Sequence, residues 1–528
     1  MHAMNESATS DTEQLKSEMN TFAFSALYST LLLVRFICVV LPGYIHPDEF
    51  FQGGQELFFG TVETWEWKEA AAARSILPPL FMTWLPIQGA RLLFWGSSVR
   101  ISWLAPRLWM TCLSLVVDAV CWNLGNRKSV LLLASAWPTL LFLTRPWSNT
   151  LETLELALLF WSVTMQQNGL RKNLCMGGLA AIGLWTRFSF PLFAFPIYLR
   201  HLCTATSVSK TFLGLATGFL LMAGIFLYSD ILFYHGAFAW EHVPNTIAPL
   251  NLFLYNFDVT NLAQHGLHFQ GLHALVNMPM LFGVMGIWFY WDYGFGEPSI
   301  SNRLVGMCRW TIVSGVVLLS CSPHQEPRFL LPCLVPLCIL ASQMPVSKWV
   351  MSIWMGSNLL IGVFWGVLHQ GQVTNSLLAL NDFTETTPPS VVYYYWRTYM
   401  PPTFLVQPCN TEEQCTNLDI IDAKSSHSSE FIPTMDTLLQ CGHHKDRAIH
   451  VVTPTLYSSH GLEFSPTACH VPSYNCTLIR SHWPHVSTED LPPWRGSLSS
   501  ILNDLQLGVY LVSCQAAPVH TGLDSEGE

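Results

Sequence analysis

The sequence predicts an all-α protein that crosses a membrane many times. Half of its 528 residues are apolar and only 11% are charged, whereas a soluble domain is about a quarter charged. The apolar residues also occur in runs of about 17 to 25 residues, which is the length of a helix that crosses a bilayer. The clearest runs are Phe22 to Pro42, Leu104 to Trp122, Phe212 to Tyr228, Leu272 to Tyr290 and Trp349 to Leu368.

The net charge and the N-terminal segment further restrict the class of membrane protein. A net charge of −10 with no compensating basic stripe argues against nucleic acid as a partner. The run that begins at Phe22 is long enough to span, and no small-residue cleavage site follows it. We therefore expect it to be an uncleaved signal-anchor rather than a removable signal peptide.

Basic residues between the apolar runs predict which side of the membrane each connection faces. Lysine and arginine concentrate on the cytosolic side of membrane proteins. The clusters are Arg127-Lys128, Arg171-Lys172, Arg200 with Lys210, Arg303 with Arg309, and Lys348. They place residues 1–21 in the cytosol and require about eleven spans within residues 22–368. Loops 44–103 and 230–270 and the tail 369–528 then lie on the opposite side.

The stretch from Ile76 to Trp95 is apolar but rich in proline. Pro78, Pro79 and Pro86 interrupt it, and proline disrupts the interior of a helix. We expect a pair of helices here that lies at the membrane surface or dips into it.

The tail 369–528 is predicted to be a small mixed α/β region in an oxidising compartment. It contains six cysteines, at 409, 415, 441, 469, 476 and 514, and an even number suits disulfide bonding outside the cytosol. Asn475-Cys476-Thr477 is an N-glycosylation sequon, so Asn475 is the expected acceptor. The other nine cysteines are scattered through the apolar runs, where we interpret them as small buried residues.

Two adjacent acids follow the first apolar run, in the sequence His46-Pro47-Asp48-Glu49-Phe50-Phe51-Gln52. Pro47 ends the preceding helix and stiffens the connection that presents the acids. A transferase that joins a sugar to a hydroxyl needs a base for the hydroxyl proton, and a carboxylate can serve. The alternative is that Asp48 and Glu49 simply cap a helix.

This motif and three further blocks resemble one enzyme family. The first motif is followed, in the same order as in the family, by Arg74-Ser75, by Thr144 to Glu152 and by His324 to Pro332. Together they resemble glycosyltransferase family 22, the dolichol-phosphate-mannose-dependent α-mannosyltransferases of the endoplasmic reticulum. The likeness covers roughly residues 35 to 405. It implies a GT-C fold and an inverting displacement of dolichyl phosphate, with Asp48 as base and Glu49 orienting Asp48 or the acceptor.

Secondary blocks resemble the branch of the family that acts on GPI-anchor precursors. They are Tyr255-Asn256, Asn261-Leu262-Ala263, His265-Gly266, Leu368 to Gly371 and Tyr399 to Pro402. This likeness implies α1,2 transfer of a fourth mannose to the third mannose of the precursor. Alternatives within the family are the enzyme that adds the third GPI mannose and those that build the N-glycan lipid precursor.

The donor's phosphodiester should meet cations on the non-cytosolic face. Arginine binds phosphate oxygens bidentately, and Arg145, Arg187 and Arg328 all fall on turns of that face. For each arginine, snorkelling to lipid headgroups is the alternative, and Glu326 could simply pair with Arg328. The complete set of candidate substrate-binding residues is His46, Gln52, Arg145, Asn149, Glu152, Arg187, His265, His324, Gln325, Glu326 and Arg328.

Asp118 and Arg35 are charged residues inside apolar runs. An acid within a span indicates either function or an internal partner; the competing reading of Asp118 is a hydrogen bond that packs helices together. Arg35 could snorkel or face the helix bundle.

No cysteine or histidine spacing matches a zinc site, and no Asp-x-Asp pair of the kind that holds a nucleotide-sugar metal is present. We therefore expect transfer without a metal or other cofactor. The implied partners are the membrane lipid, dolichol-phosphate mannose and the GPI glycolipid, and the sequence assigns no protein partner.

Two readings outside the family remain. A transporter would show internal repeats and helices broken at the midplane, and no repeat is visible. A non-catalytic membrane scaffold is disfavoured by the intact acids at 48 and 49.

Overall fold

Long apolar helices occupy the positions that the hydropathy pattern predicts. The computed structural model of the protein describes residues 21–94, 98–165, 169–263, 266–295, 303–343, 347–380, 391–406, 418–424, 428–439, 448–456, 474–488, 502 and 504–514. Within them, six helices are long and apolar enough to cross a membrane. These are Thr21–Cys38, Val99–Leu124, Val208–His235, His273–Asp292, Arg303–Ser320 and Lys348–Leu368. The five runs named above each coincide with one of them, and the chain is a multi-pass membrane protein. The count of about eleven spans stays a prediction.

The α-helices are numbered here in chain order. They are α1 (Thr21–Cys38), α2 (Asp48–Phe51), α3 (Gln55–Phe59), α4 (Leu77–Pro79), α5 (Leu85–Phe94), α6 (Val99–Leu124), α7 (Arg127–Ser135), α8 (Trp137–Leu141), α9 (Ser148–Thr164), α10 (Leu170–Thr186), α11 (Phe190–Cys203), α12 (Val208–His235), α13 (Ala248–Phe257), α14 (Val259–Ala263), α15 (Met278–Phe295), α16 (Arg303–Ser320), α17 (Leu334–Ala341), α18 (Lys348–Val363), α19 (Val373–Leu380) and α20 (Ser428–Leu439). Short 3-10 helices form at Trp65–Trp67, Trp240–Asn245, Pro327–Cys333 and Thr403–Leu405. π-Helical turns form at Leu80–Trp84, His273–Asn277 and Phe364–Leu368.

The chain divides into two compact units. The first contains residues 1–41 and 48–363, and the second contains residues 42–47 and 364–528. The sequence places the boundary at 368/369, slightly later. Residues 42–47 belong to the second unit because the Gly43 amide donates to Gly366 O at 2.7 Å and the Tyr44 amide donates to His369 O at 3.0 Å.

Small residues allow close helix packing in the first unit. A Cβ atom at Gly218 of α12 would lie 2.1 Å from Leu174 O of α10, so only glycine fits at this contact. Membrane helices rely on such close approach because lipid supplies no hydrophobic drive for their association.

The expected helix pair at Ile76 to Trp95 is instead one helical stretch over the described residues, and that expectation was wrong. Pro78 and Pro79 occupy the first turn, where a missing N–H costs nothing. The π-helical turn at Leu80–Trp84 then precedes Pro86 in α5. Such a turn rearranges the hydrogen-bond ladder, which lets the helix continue through proline.

Asp118 and Arg35 are partners inside the first unit. Arg35 Nη1 of α1 lies 2.9 Å from Asp118 Oδ2 of α6, and the two side chains are 0% and 3% exposed. The Tyr28 hydroxyl donates to the same oxygen at 2.6 Å. The helix-packing interpretation of Asp118 is therefore confirmed, and Arg35 faces the bundle.

The second unit contains a five-stranded mixed sheet. Its strands are β1 (Val391–Tyr395), β2 (Leu418–Asp422), β3 (Ala448–Pro454), β4 (Tyr474–His482) and β5 (Leu507–Cys514). They lie in the order β2-β1-β3-β5-β4. β1 pairs in parallel with β2 and β3, and β5 pairs antiparallel with β3 and β4. Met435 and Leu439 of α20 join the core of this unit.

The cysteine and sequon predictions fall partly within the second unit. Cys476 of β4 is disulfide-bonded. Asn475 is paired with Ser513 across β4 and β5, and its glycosylation stays a prediction. Cys409, Cys415, Cys441 and Cys469 lie outside the described residues. The nine cysteines at 38 to 338 are free, and five of them are buried.

Candidate active site

The two acids of the first motif open a short helix. Pro47 immediately precedes α2, so Asp48 and Glu49 both lie in its first turn, where the helix dipole favours negative charge. A Cβ atom at Gly53 would lie 2.1 Å from Glu49 O and 2.6 Å from Pro146 O. Glycine at this position thus lets the turn around Pro146 approach the end of α2 and brings the second motif beside the first.

Glu49 is completely enclosed by two arginines. Its Oε1 accepts from Arg107 Nε at 2.7 Å and lies 2.6 Å from Arg107 Nη2, and its Oε2 accepts from Arg145 Nη1 at 2.8 Å. All three side chains are 0% exposed. Arg107 Nη1 also donates to Val39 O and Leu41 O at 3.1 and 3.0 Å. Glu49 is therefore held in the protein interior by these ion pairs. Arg145 is one of the two arginines that balance its charge.

Asp48 points to a more open environment. Its side chain is 17% exposed, and its Oδ2 lies 2.5 Å from Arg328 Nη1. Arg328 is 7% exposed and also pairs with Glu326. The Arg328 guanidinium lies 5.4 Å from the ring centre of Trp147 and 5.7 Å from that of Phe329. Of the two acids, Asp48 is the one that a ligand can reach.

His324 joins the charged groups around Arg328, because both residues contact Glu326. Its Nε2 lies 2.9 Å from Glu326 Oε1, and its Nδ1 lies 3.0 Å from Gly266 O. Burial lowers the pKa of His324, but the hydrogen bond and negative charge of Glu326 outweigh burial and raise the pKa above its usual value. His324 therefore holds its proton to a higher pH than an ordinary histidine does.

Arg187 approaches the same place from the end of α10. Its Nε lies 3.3 Å from Glu152 Oε2, its Nη1 donates to Ser148 Oγ at 2.9 Å, and its guanidinium lies 5.2 Å from the centre of the Phe329 ring. The guanidinium groups of Arg187 and Arg328 thus both lie near the ring of Phe329. Burial lowers the pKa of Arg187 to about 10, Glu152 opposes this effect, and the nearby guanidinium groups of Arg74 and Arg328 add to it. Arg187 stays cationic at neutral pH.

Three further predicted site residues are buried. Glu152 is fully buried in α9 and accepts from Ser189 Oγ at 2.7 Å. Asn149 is also fully buried, one turn earlier in the same helix. Gln325 is 1% exposed, and its Oε1 accepts from the His273 amide at 2.9 Å while its Nε2 donates to main-chain oxygens, including Ser322 O at 3.0 Å. These hydrogen bonds to main-chain groups show that the Gln325 side chain stabilises the surrounding loop.

Gln52 and His46 make other contacts. Gln52 Nε2 donates to Glu66 Oε1 at 3.4 Å in the first unit. His46 belongs to the second unit, with its ring centre 6.2 Å from that of Tyr399. His265 lies outside the described residues.

Sequence reasoning missed Arg107 and Glu66. Arg107 lies within the span α6, and a charged residue inside a span is a sufficient signal to search for a partner. Glu66 has no such signal because it lies in a loop outside the long apolar runs, where a charged residue is ordinary. It pairs with Arg74, whose Nη2 lies 2.8 Å from Glu66 Oε1.

Within the described residues, no group of three histidine, cysteine, aspartate or glutamate side chains is arranged to hold a metal ion. The positive groups near Asp48 and Glu49 are the arginines and His324 described above.

Comparison with known proteins identifies the family. A GPI mannosyltransferase 4 from Aspergillus oryzae is 30% identical over 81% of this chain and 86% of its own length. A human GPI alpha-1,2-mannosyltransferase 4 is 28% identical over 93% of both chains. The crystal structure of ArnT from Cupriavidus metallidurans bound to undecaprenyl phosphate matches with a TM-score of 0.50 at 10% identity, over 93% of this chain and 98% of that chain. This likeness confirms the predicted GT-C fold. Since the model of the Alg9-like mannosyltransferase family matches residues 26–406, the chain belongs to that family of glycosyltransferases.

Proposed function

We propose that the chain transfers mannose from dolichol-phosphate mannose to the third mannose of a GPI-anchor precursor, in α1,2 linkage, on the lumenal side of the endoplasmic reticulum. The relatives named GPI mannosyltransferase 4 support the acceptor, because they match most of the chain. The choice between Asp48 and Glu49 as base rests on their different environments.

That difference in environment is the observation that carries the mechanism. Glu49 is 0% exposed and is held by two buried arginines, whereas Asp48 is 17% exposed and pairs with Arg328. A general base must come within hydrogen-bond reach of the proton that it removes. Asp48 meets this requirement without any rearrangement of the buried cluster, so Asp48 is the base and Glu49 fixes the helix that presents it.

The reaction is a single displacement with inversion. Asp48 accepts the proton of the acceptor 2-hydroxyl while that oxygen forms a bond to C1 of the donor mannose. The bond between C1 and the phosphate oxygen breaks, and its electron pair leaves with dolichyl phosphate. A β-linked donor thus yields an α-linked product, and Asp48 carries one proton at the end of the step.

Positive groups near Asp48 suit the leaving phosphate. Arg187 uses Nε and Nη1 for Glu152 and Ser148, so its Nη2 is the atom that would meet a phosphate oxygen. Arg328 pairs with Asp48 and lies 5.7 Å from the centre of the Phe329 ring, and the His324 ring lies 5.8 Å from the same centre. Charge-assisted hydrogen bonds of this kind stabilise an anion that develops as the bond breaks. We expect transfer to continue in the presence of EDTA, since these groups can balance a single phosphate.

The same proposal places the C-terminal region in the lumen and the N-terminus in the cytosol. The disulfide at Cys476 supports an oxidising compartment for the second unit. The sequon at Asn475 agrees with it.

The test is an acceptor panel for the purified full-length protein with dolichol-phosphate mannose. We expect transfer to a trimannosyl GPI glycolipid and none to the dimannosyl form. Product digestion with a linkage-specific mannosidase should identify an α1,2 bond. Transfer to the dimannosyl GPI acceptor alone, or to an N-glycan lipid intermediate, would overturn the assignment of the acceptor.

A further inference from the structure

A stacked aromatic pair lies beside the first motif and has no role in the mechanism above. The ring of Trp65, in the first loop, stacks on that of Tyr255 in α13, with centroids 4.0 Å apart and planes 23° apart. Both side chains are half-buried. The contact joins two segments that are distant in the chain and keeps an aromatic surface next to polar groups.

The polar groups at this surface converge on one carboxylate oxygen. Glu66 Oε1 accepts from Arg74 Nη2 at 2.8 Å, from Arg74 Nε at 3.2 Å and from Gln52 Nε2 at 3.4 Å. The side chains of Glu66 and Arg74 are each 12% exposed. These contacts use Oε1 and leave Oε2 as the oxygen that a ligand hydroxyl would meet.

The main chain holds this cluster in place. The Tyr234 hydroxyl of α12 donates to Arg74 O at 2.7 Å. Asn251 Nδ2 donates to Ala72 O at 3.1 Å, which ties the same loop to α13. Burial and the negative charge of Glu66 both raise the pKa of Tyr255.

Gln52, the first residue of the cluster in the chain, follows Asp48 by one helical turn. The Gln52 amide donates to Asp48 O at 3.1 Å, and one turn advances about 5.4 Å along a helix. This separation is comparable to the width of one sugar ring. A glycan whose terminal hydroxyl reaches Asp48 would therefore lay its neighbouring sugar near Gln52, Glu66 and Arg74.

The charge of the cluster selects for a neutral ligand. Glu66 and Arg74 balance each other, so they offer directed hydrogen bonds with no net positive charge to hold a phosphate. Around Asp48 and Glu49, by contrast, five positive groups (Arg107, Arg145, Arg187, Arg328 and protonated His324) face four carboxylates (Asp48, Glu49, Glu152 and Glu326), which leaves an excess of one positive charge for an anion. An aromatic face beside a carboxylate and a guanidinium suits a sugar, which has an apolar ring face and a rim of hydroxyl groups.

We propose that Trp65, Tyr255, Glu66 and Arg74 form the subsite that binds the mannose residues of the acceptor glycan. The inference rests on the proposed function, because it assumes that Asp48 acts on an acceptor hydroxyl. Trp65 and Tyr255 pack against a sugar face, while Glu66 Oε2 and the Arg74 guanidinium bind its hydroxyl groups. The subsite sets the affinity for the acceptor and leaves that for the donor unchanged.

The main test separates the two Michaelis constants in the Trp65→Ala and Glu66→Gln variants. With the trimannosyl GPI acceptor and dolichol-phosphate mannose, we expect the acceptor KM to rise by about tenfold or more in Trp65→Ala, as for the loss of an aromatic anchor. The donor KM should stay within about twofold of wild type, and Trp65→Phe should restore most of the acceptor affinity. Trp240→Ala is the matched control, since Trp240 is 81% exposed and packs on Phe238 outside the cluster.

A binding measurement keeps this inference separate from the proposed function. The free trimannosyl glycan of the acceptor, without lipid, is added to the full-length protein, and saturation-transfer NMR reports contact. Contact in wild type that is lost in Trp65→Ala supports the subsite even if no transfer occurs, in which case only the proposed function fails. An active wild type with unchanged acceptor KM in Trp65→Ala, or a parallel rise of the donor KM, would overturn the subsite. A misfolded Trp65→Ala is recognised by its thermal unfolding, and Glu66→Gln then gives the same readout.

Discussion

Asp48 and Glu49 are neighbours in the chain, yet the structure gives them opposite environments. Glu49 is fully buried between Arg107 and Arg145, whereas Asp48 remains accessible beside Arg328. Adjacent residues in the first turn of a helix point about 100° apart, so one side chain can enter the core while the next faces the site. In the proposed mechanism, the paired acids thus divide their roles: Glu49 stabilises the structure and Asp48 takes part in the chemistry.

The largest expected effect is that of Asp48→Asn. The amide cannot accept the acceptor proton, so kcat should fall by about 10²- to 10⁴-fold. Acceptor KM, expression and thermal unfolding should stay close to wild type, because Asp48 is partly exposed. Single-turnover assays with saturating donor measure the effect. Activity near that of wild type would remove Asp48 from the role of base.

Glu49→Gln should act through folding instead. It leaves two arginines buried without their counter-charge, a loss that costs about 3–5 kcal/mol for a broken buried ion pair. We expect a marked drop in the unfolding temperature of the protein in lipid nanodiscs. Glu49→Asp, which retains the charge, is the control. A Glu49→Gln variant that is fully stable but has lost turnover would indicate that Glu49, rather than Asp48, is the base.

A smaller change is expected when the Arg35–Asp118 pair is replaced as a whole. Apolar residues of similar volume can replace a buried pair with little cost, so Arg35→Met combined with Asp118→Leu should unfold within about 1–2 kcal/mol of wild type. Asp118→Leu alone should be much less stable, since Arg35 is then left unpaired. Both kinetic constants should be unchanged in the double variant. A loss of turnover in that folded variant would give the pair a catalytic role.

The smallest expected effect is a shift in the pH profile of Glu326→Gln. Glu326 raises the pKa of His324, so the wild type keeps protonated His324 until the pH rises through that raised value. Without the carboxylate the pKa of His324 falls, and the alkaline limb of kcat/KM should move to lower pH. His324→Gln should abolish that limb, and an unchanged profile in Glu326→Gln would contradict the role of protonated His324 in binding the donor phosphate.

Much of the architecture could be predicted from local patterns. The five named apolar runs located five of the six long helices, with ends that differ by at most seven residues, because hydropathy over a span is a strong signal. The stretch at Ile76 was mispredicted because three prolines suggest a break, whereas the π-helical turn at Leu80–Trp84 absorbs Pro86. The shorter helices of the first unit, such as α9 and α11, have no composition that distinguishes a span from a buried helix.

The site was predictable only as a set of residue types on one face. The structure brings together Asp48, Arg187, Arg328 and His324, as predicted. No pattern in the chain, however, shows that Arg145 forms an ion pair with Glu49. Arg107 was missed because its partner is 58 positions away in the chain. Side-chain burial depends on packing between distant segments, and a single sequence without homologues does not record it.

Arg107 links the first apolar helix to one of the paired acids. Its guanidinium binds the carbonyl oxygens at the end of α1 and the carboxylate of Glu49 at the same time. A helix answers a mismatch in bilayer thickness by tilting, and a tilt of α1 would pull on this shared guanidinium. Turnover should therefore depend on the acyl-chain length of the surrounding lipids, so that the thickness of the membrane becomes one of the determinants of catalysis.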